Sequence, residues 1–178
     1  MADPAINHPL TPRRRWFLKT VVAIGAAGAA LGGLVYWNRG ISDGRLTDAG
    51  KDVFHGLARG ILGAMLPTDP AERDRILALH VERLNGFIDT LPAALQIQVS
   101  GLVGLLGNTP TRYLLTGVGT TWRNASDEQL AQALESMRLN ALPSHRLTYQ
   151  VMRSITCMAF FTQQDNWGLT GYPGPLDI

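Results

Sequence analysis

The chain has 178 residues with 16 basic and 14 acidic side chains, and its basic excess is local. Residues 1–40 carry Arg13, Arg14, Arg15, Lys19 and Arg39 against Asp3, a net of +4, which leaves −2 on the remainder, so a basic nucleic-acid footprint on that remainder is not supported. The single cysteine, Cys157, excludes an intrachain disulfide, thiolate-rich metal and iron–sulfur sites, and C-x-x-C-H haem attachment.

In chain order, residues 1–12 hold three prolines and read as an unstructured lead-in. Arg13-Arg14-Arg15-Trp16-Phe17-Leu18-Lys19 follows, and then seventeen residues, 20–36, without a charge. The pair Arg14-Arg15, one variable residue, the bulky Phe17 and Leu18, and Lys19 have the outline of a twin-arginine export signal. That signal is an address read by a receptor, and its route carries proteins that have already folded. As a helix, residues 21–37 extend about 25 Å, slightly short of a bilayer core of about 30 Å. Gly25, Ala29 and Gly33 recur at a spacing that lets membrane helices approach closely, although a weakly apolar signal built from Ala and Gly accounts for them more simply. Ala27-Gly28-Ala29 has the small–x–small form that a signal peptidase reads. Residues 1–40 are therefore a cleaved signal peptide or a retained anchor, with membrane contact through residues 20–37 in the second case.

Beyond residue 40 the apolar period is helical. Phe54, Leu57, Ala58, Ile61 and Met65 form one stripe, which Pro67 ends. Asp69-Pro70-Ala71-Glu72 predicts a helix start with a reciprocal cap and proline in the first turn, and Leu77, Val81, Leu84 and Ile88 follow it. Pro92 opens a helix carrying Leu95, Val99, Leu102 and Leu106. Thr109-Pro110 opens a short segment that Gly117 and Gly119 close. Ser126-Asp127-Glu128-Gln129 has the capping-box form ahead of Leu130, Leu134, Met137 and Ala141. Pro143-Ser144 starts the last helix, which holds a single charge, Arg153, from residue 147 to 164. A helix apolar on nearly every side is expected at the centre of its bundle. No stretch alternates with period two long enough to predict a strand. The expected fold is all-α: one compact bundle of about five helices over residues 41–164, behind the leader. Residues 165–178 are expected to be an irregular tail, because prolines and glycines oppose a helix there. Trp167, Tyr172, Pro173 and Pro175 in that tail are rigid apolar groups suited to a partner contact, or to folding back on their own bundle.

Catalytic equipment is not visible. His8, His55, His80 and His145 are scattered without metal-ligand spacing. Cys157 lies on the apolar helix, where a thiol behaves as a small hydrophobe. Glu128 and Glu135 share a helix but fit a solvated face as well as an acid–base pair. Neither a dinucleotide fingerprint nor a G-x-S-x-G elbow is present. Catalytic, cofactor-binding and metal-ligating residues are accordingly expected to be absent from this chain. An export route for folded proteins on such a chain points to a cofactor carried by a partner.

The residues resemble one family. The leader, the opening helix over residues 46–67 with its Ala64-Met65-Leu66-Pro67 ending, and Phe87-Ile88-Asp89 carry the likeness. So do residues 126–137, Tyr149-Gln150, and the closing Trp167 with Gly171-Tyr172-Pro173-Gly174-Pro175. Together they are similar to the small subunits of exported flavin-dependent dehydrogenases, the gluconate 2-dehydrogenase subunit 3 family. The resemblance implies a large FAD-containing partner of the glucose–methanol–choline (GMC) oxidoreductase type, carried into the periplasm by this chain, with a cytochrome c subunit or quinone taking the electrons. It implies that Arg14 and Arg15 engage the twin-arginine translocase and that the helical domain docks the flavoprotein. A stand-alone periplasmic ligand-binding or scaffold protein, and an enzyme whose site assembles only in three dimensions, are the alternatives.

Overall fold

The structure, a computed structural model, describes residues 39–174. Arg14, Arg15, Phe17, Leu18 and Lys19 of the export motif, residues 20–37 and Pro175 lie outside the described residues. The body opens with a hairpin of two-residue strands, β1 (Ile41–Ser42) and β2 (Arg45–Leu46), paired antiparallel with Ile41 opposite Leu46. Asp43 and Gly44 turn it with φ of 51° and 72°. Both central residues are left-handed, as a two-residue hairpin that follows strand twist demands. This Asp-Gly pair is the strand signal that a search for long alternation passes over.

Helices follow, each started by the chemistry its first residues allow. Thr47 Oγ1 accepts the Gly50 N–H at 3.1 Å and caps α1 (Asp48–Leu62). A 3-10 turn, Gly63–Met65, ends that segment before Pro67. Asp69 caps α2 (Pro70–Asp89), accepting the Glu72 N–H at 2.8 Å. The cap is one-sided, because Arg75 holds the Glu72 carboxylate at 2.7 Å instead. Pro92 precedes α3 (Ala93–Gly107), and α4 (Thr109–Thr116) closes on left-handed Gly117. Ser126 and Gln129 form the full reciprocal box at the start of α5 (Asp127–Leu139). The long α6 (Pro143–Phe161) leads into a 3-10 turn, Gln164–Asn166, and one helical turn, α7 (Trp167–Thr170). The expected irregular tail is thus helical as far as Thr170, and its glycines act only after that point: Gly171 ends the turn with φ 71°.

The centre of the bundle is α1, which packs against α2, α3, α5 and α6. Val53, Phe54, Leu57, Ala58 and Leu62 on it are fully buried. Small residues between them admit neighbours closely. A Cβ at Gly56 would stand 2.7 Å from Trp122 Cβ and 2.9 Å from its carbonyl oxygen. The Asp52 carboxylate holds the same loop, accepting the N–H groups of Trp122 and Arg123 at 2.9 and 3.0 Å. Trp122 Nε1 donates to Leu106 O at 2.8 Å inside the core.

Three details differ from the periodicity. The last helix, α6, expected at the centre, is not central: it buries Thr148, Met152, Ile155 and Ala159, and leaves Leu147, Met158 and Phe161 exposed. A central position needs close approach on several sides, which the glycines of α1 supply: Gly50 lies against Gly40, Gly56 against Trp122 and Gly60 against Leu134. In α3, Leu95 is exposed and Val103 fills the core place, because the first turn stands out from the body. Ala141 lies past the end of α5 and is exposed.

Candidate partner-docking surface

The tail proposed from sequence packs in part on its own bundle and is in part exposed. Asn166 is buried, its Nδ2 donating to Phe160 O at 2.8 Å. Trp167 Nε1 donates to Phe161 O at 2.8 Å, and its ring meets Tyr172 edge-on with centroids 5.3 Å apart. Arg83 on α2 reaches Asp165 at 2.7 Å. The Trp167 bond gives a carbonyl at the end of α6 a partner, and the Asn166 bond adds to the one that the Gln163 N–H makes to Phe160 O, so Trp167 is spent largely on its own bundle. Tyr172 remains 50% exposed, and Pro173 is exposed beside it.

A row of side chains along α6 ends beside that pair, at Phe161. Along one side of α6, Leu147, Val151, Ser154, Met158 and Phe161 recur with alternating steps of four and three, with Val151 partly buried against the core. That is the spacing of a seam facing another helix. Leu147 and Met158 are 58% and 47% exposed, and Leu139 and Leu142 at the α5–α6 turn are 65% and 57% exposed. Phe161 closes the stripe at the tail, where its carbonyl holds Trp167. The α6 helix carries Arg146 and Arg153 and no carboxylate. The whole strip is apolar with a basic margin. Sequence reasoning missed it by treating the apolar residues of α6 as one set. The inner and outer rows, each at helical spacing, were the signal.

The residues considered for chemistry do not converge. His55 and His80 are buried in different places, each pushed below its ordinary pKa first by burial. For His55 the cations Arg123 and Arg59 add to the effect, and for His80 Arg83 does. Burial pushes the half-buried Cys157 thiol up, against the pull of Arg153. Glu135 is held by Arg138 at 2.6 Å, whose hydrogen bond lowers its pKa, while Glu128 is lowered by the Ser126 side chain. Among the described residues no group of three or more His, Cys, Asp and Glu could hold a metal ion. A shallow cleft between the hairpin and α2 is lined by Asp43, Arg45, Glu82, Asn85 and Asp89. Its lining is polar and charged, unlike the mostly apolar walls of sites that enclose small organic ligands. No helix of the described residues is long and apolar enough to cross a membrane. Comparison with protein-family models, with curated proteins and with solved structures finds no match.

Proposed function

We propose that this chain is a small, non-catalytic subunit that binds a large FAD-containing dehydrogenase of the GMC type, steadies it, and carries it through twin-arginine export into the periplasm. The observation that carries the reading is the leader: Arg14-Arg15 with Phe17, Leu18 and Lys19 ahead of residues 20–36 without a charge. A route for folded proteins suits a partner whose flavin is loaded before export. A carrier that binds only the folded partner favours that state by mass action.

Support for a docking role comes from the outer row of α6 and the adjoining Tyr172. A stable subunit contact buries on the order of 1,000 Å² or more, and apolar area with a basic margin favours a partner patch that is apolar with carboxylates at its edge. Purification of the tagged full-length chain from the periplasmic and membrane fractions tests the reading. The expected result is a co-purifying large chain with a flavin absorption spectrum. A colourless chain recovered alone would sink the proposal, and turnover by the isolated chain would favour the enzyme alternative.

The same preparation apportions the surface. Leu147→Glu with Met158→Glu, both at exposed positions, is expected to leave the melting temperature of the chain unchanged and to weaken recovery of the flavoprotein at least about tenfold, as loss of two interface anchors does. A stop after Asn166 keeps the buried Asn166 hydrogen bond and is expected to weaken recovery without blocking export. Full recovery with the α6 variant moves the contact elsewhere. Full recovery with the shortened chain removes the tail from it.

A further inference from the structure

The α3 helix presents a second bare surface, different in character from the basic-edged row on α6. From residue 90 to 111 the chain carries no charged side chain, a run of twenty-two. Val99, Val103, Gly104 and Leu106 face inward. Opposite them at helical spacing lie Ala94, Ile97, Gly101 and Leu105, with Ile97 73% exposed, Ala94 exposed, and Gly101 and Leu105 half-buried. Tyr113 and Leu114 on the following helix are 64% and 81% exposed.

The chain enters the fold on this helix. The Gly40 N–H donates to Ser100 O at 3.3 Å. The Ile41 N–H donates to Ser100 Oγ at 3.1 Å, and that hydroxyl donates back to Ile41 O at 3.1 Å. Gly40 sits so close to α3 that a Cβ there would lie 2.2 Å from Val103 Cγ1. Tyr36 precedes Gly40 by four residues, which bounds their separation at about 14 Å. The polar zone of a bilayer takes up roughly 5–7 Å of that reach on each side. Tyr36 and Trp37 are residue types that settle in this zone. At 15 residues, α3 is about 22 Å long, a length that suits lying on a bilayer rather than crossing it.

We propose that the outer face of α3 lies in the interface of the bilayer that holds residues 20–36. The inference rests on the retained-anchor reading of the leader and is independent of the flavoprotein. Covalent reach is what selects the lipid surface over a second copy or a soluble partner, because α3 is fastened next to the end of the anchor. Having no charge, the face binds through apolar contact, so its engagement is indifferent to anionic lipid and to salt.

The test uses the full-length chain with Cys157→Ser and one added cysteine, Ile97→Cys or Leu147→Cys, labelled with a polarity-sensitive fluorophore. The chain is reconstituted into phosphatidylcholine vesicles containing spin-labelled lipid. The expected result is blue-shifted, lipid-quenched emission from position 97, unchanged by high salt, and water-like emission from position 147. A membrane-bound chain whose position 97 behaves like position 147 overturns the proposal. Shielding of position 97 only after the co-purifying partner is added overturns it too, and makes α3 a protein interface. A chain found by mass to start beyond residue 27 and to leave the vesicles overturns both the anchor and this proposal, with the export reading intact.

Discussion

Trp122→Ala is expected to cost the fold about 3–5 kcal/mol, the range for removing a fully buried aromatic side chain. Trp122 is the largest of the fully buried side chains and is 0% exposed. It lies against Gly56 at the middle of the central helix, and its indole N–H is the partner of Leu106 O. The truncation therefore empties the centre of the bundle and leaves a buried carbonyl without a donor, a second cost. Trp122→Phe retains most of the apolar contact and loses only the hydrogen bond, so it is expected to fall well short of the alanine variant. Urea unfolding of the three proteins measures the differences. A loss below about 0.5 kcal/mol for the alanine variant, the level of an ordinary surface change, would contradict the placement of this loop in the core.

Acid is expected to weaken the fold through His80. The ring is 2% exposed, stands edge-on to Phe160 with centroids 5.7 Å apart, and has no hydrogen-bond partner for either nitrogen among the described residues. Burial, aided by Arg83, pushes its pKa from 6.5 down to about 4. Between those values the unfolded chain binds the proton and the folded chain does not. Stability is therefore fully present above pH 6.5 and is lost as pH falls toward 4, by about 3 kcal/mol in all at 1.36 kcal/mol per pH unit. His55 is lowered as well and acts in the same direction. His80→Leu removes two buried nitrogens that lack partners, so it is expected to hold or raise stability at pH 7 and to flatten the acid limb. Denaturant midpoints measured from pH 7.5 to 4 decide it. An acid slope unchanged in the variant would assign the loss to other groups.

The parts of this fold that were legible from sequence are those ruled by local chemistry. The serine–glutamine box at Ser126, the proline starts at Pro70 and Pro143, and the Gly117 stop act within one helical turn, and each stands where its residues put it. The row Leu77, Val81, Leu84 and Ile88 is wholly buried because a helix between core and solvent shows its period plainly. Trp122 could not be found that way. It sits in a loop without periodicity, and its place is explained by partners far off in sequence: Gly56, which it touches 66 positions earlier, the Asp52 carboxylate and Leu106 O. The bare side of α6 was hidden for the opposite reason, since a period shows apolar faces but not which neighbour covers them. Of the candidate surface, Tyr172 and Pro173 stood out in sequence as rigid apolar groups, with partner contact and folding back both open, and the Trp167 bond to Phe161 O is announced by no local motif.

The central claim is that one leader serves two chains. Its most direct test is the location of the flavoprotein when Arg14→Lys and Arg15→Lys are made together in this chain alone. Lysine keeps the charge but not the planar, multiply donating guanidinium, so a receptor that reads arginine is expected to fail while expression and folding continue. The account predicts that this chain and its flavin-containing partner both stay in the cytoplasm, the partner still folded and still bound. A partner that reaches the periplasm regardless, while this chain is held back, would contradict it.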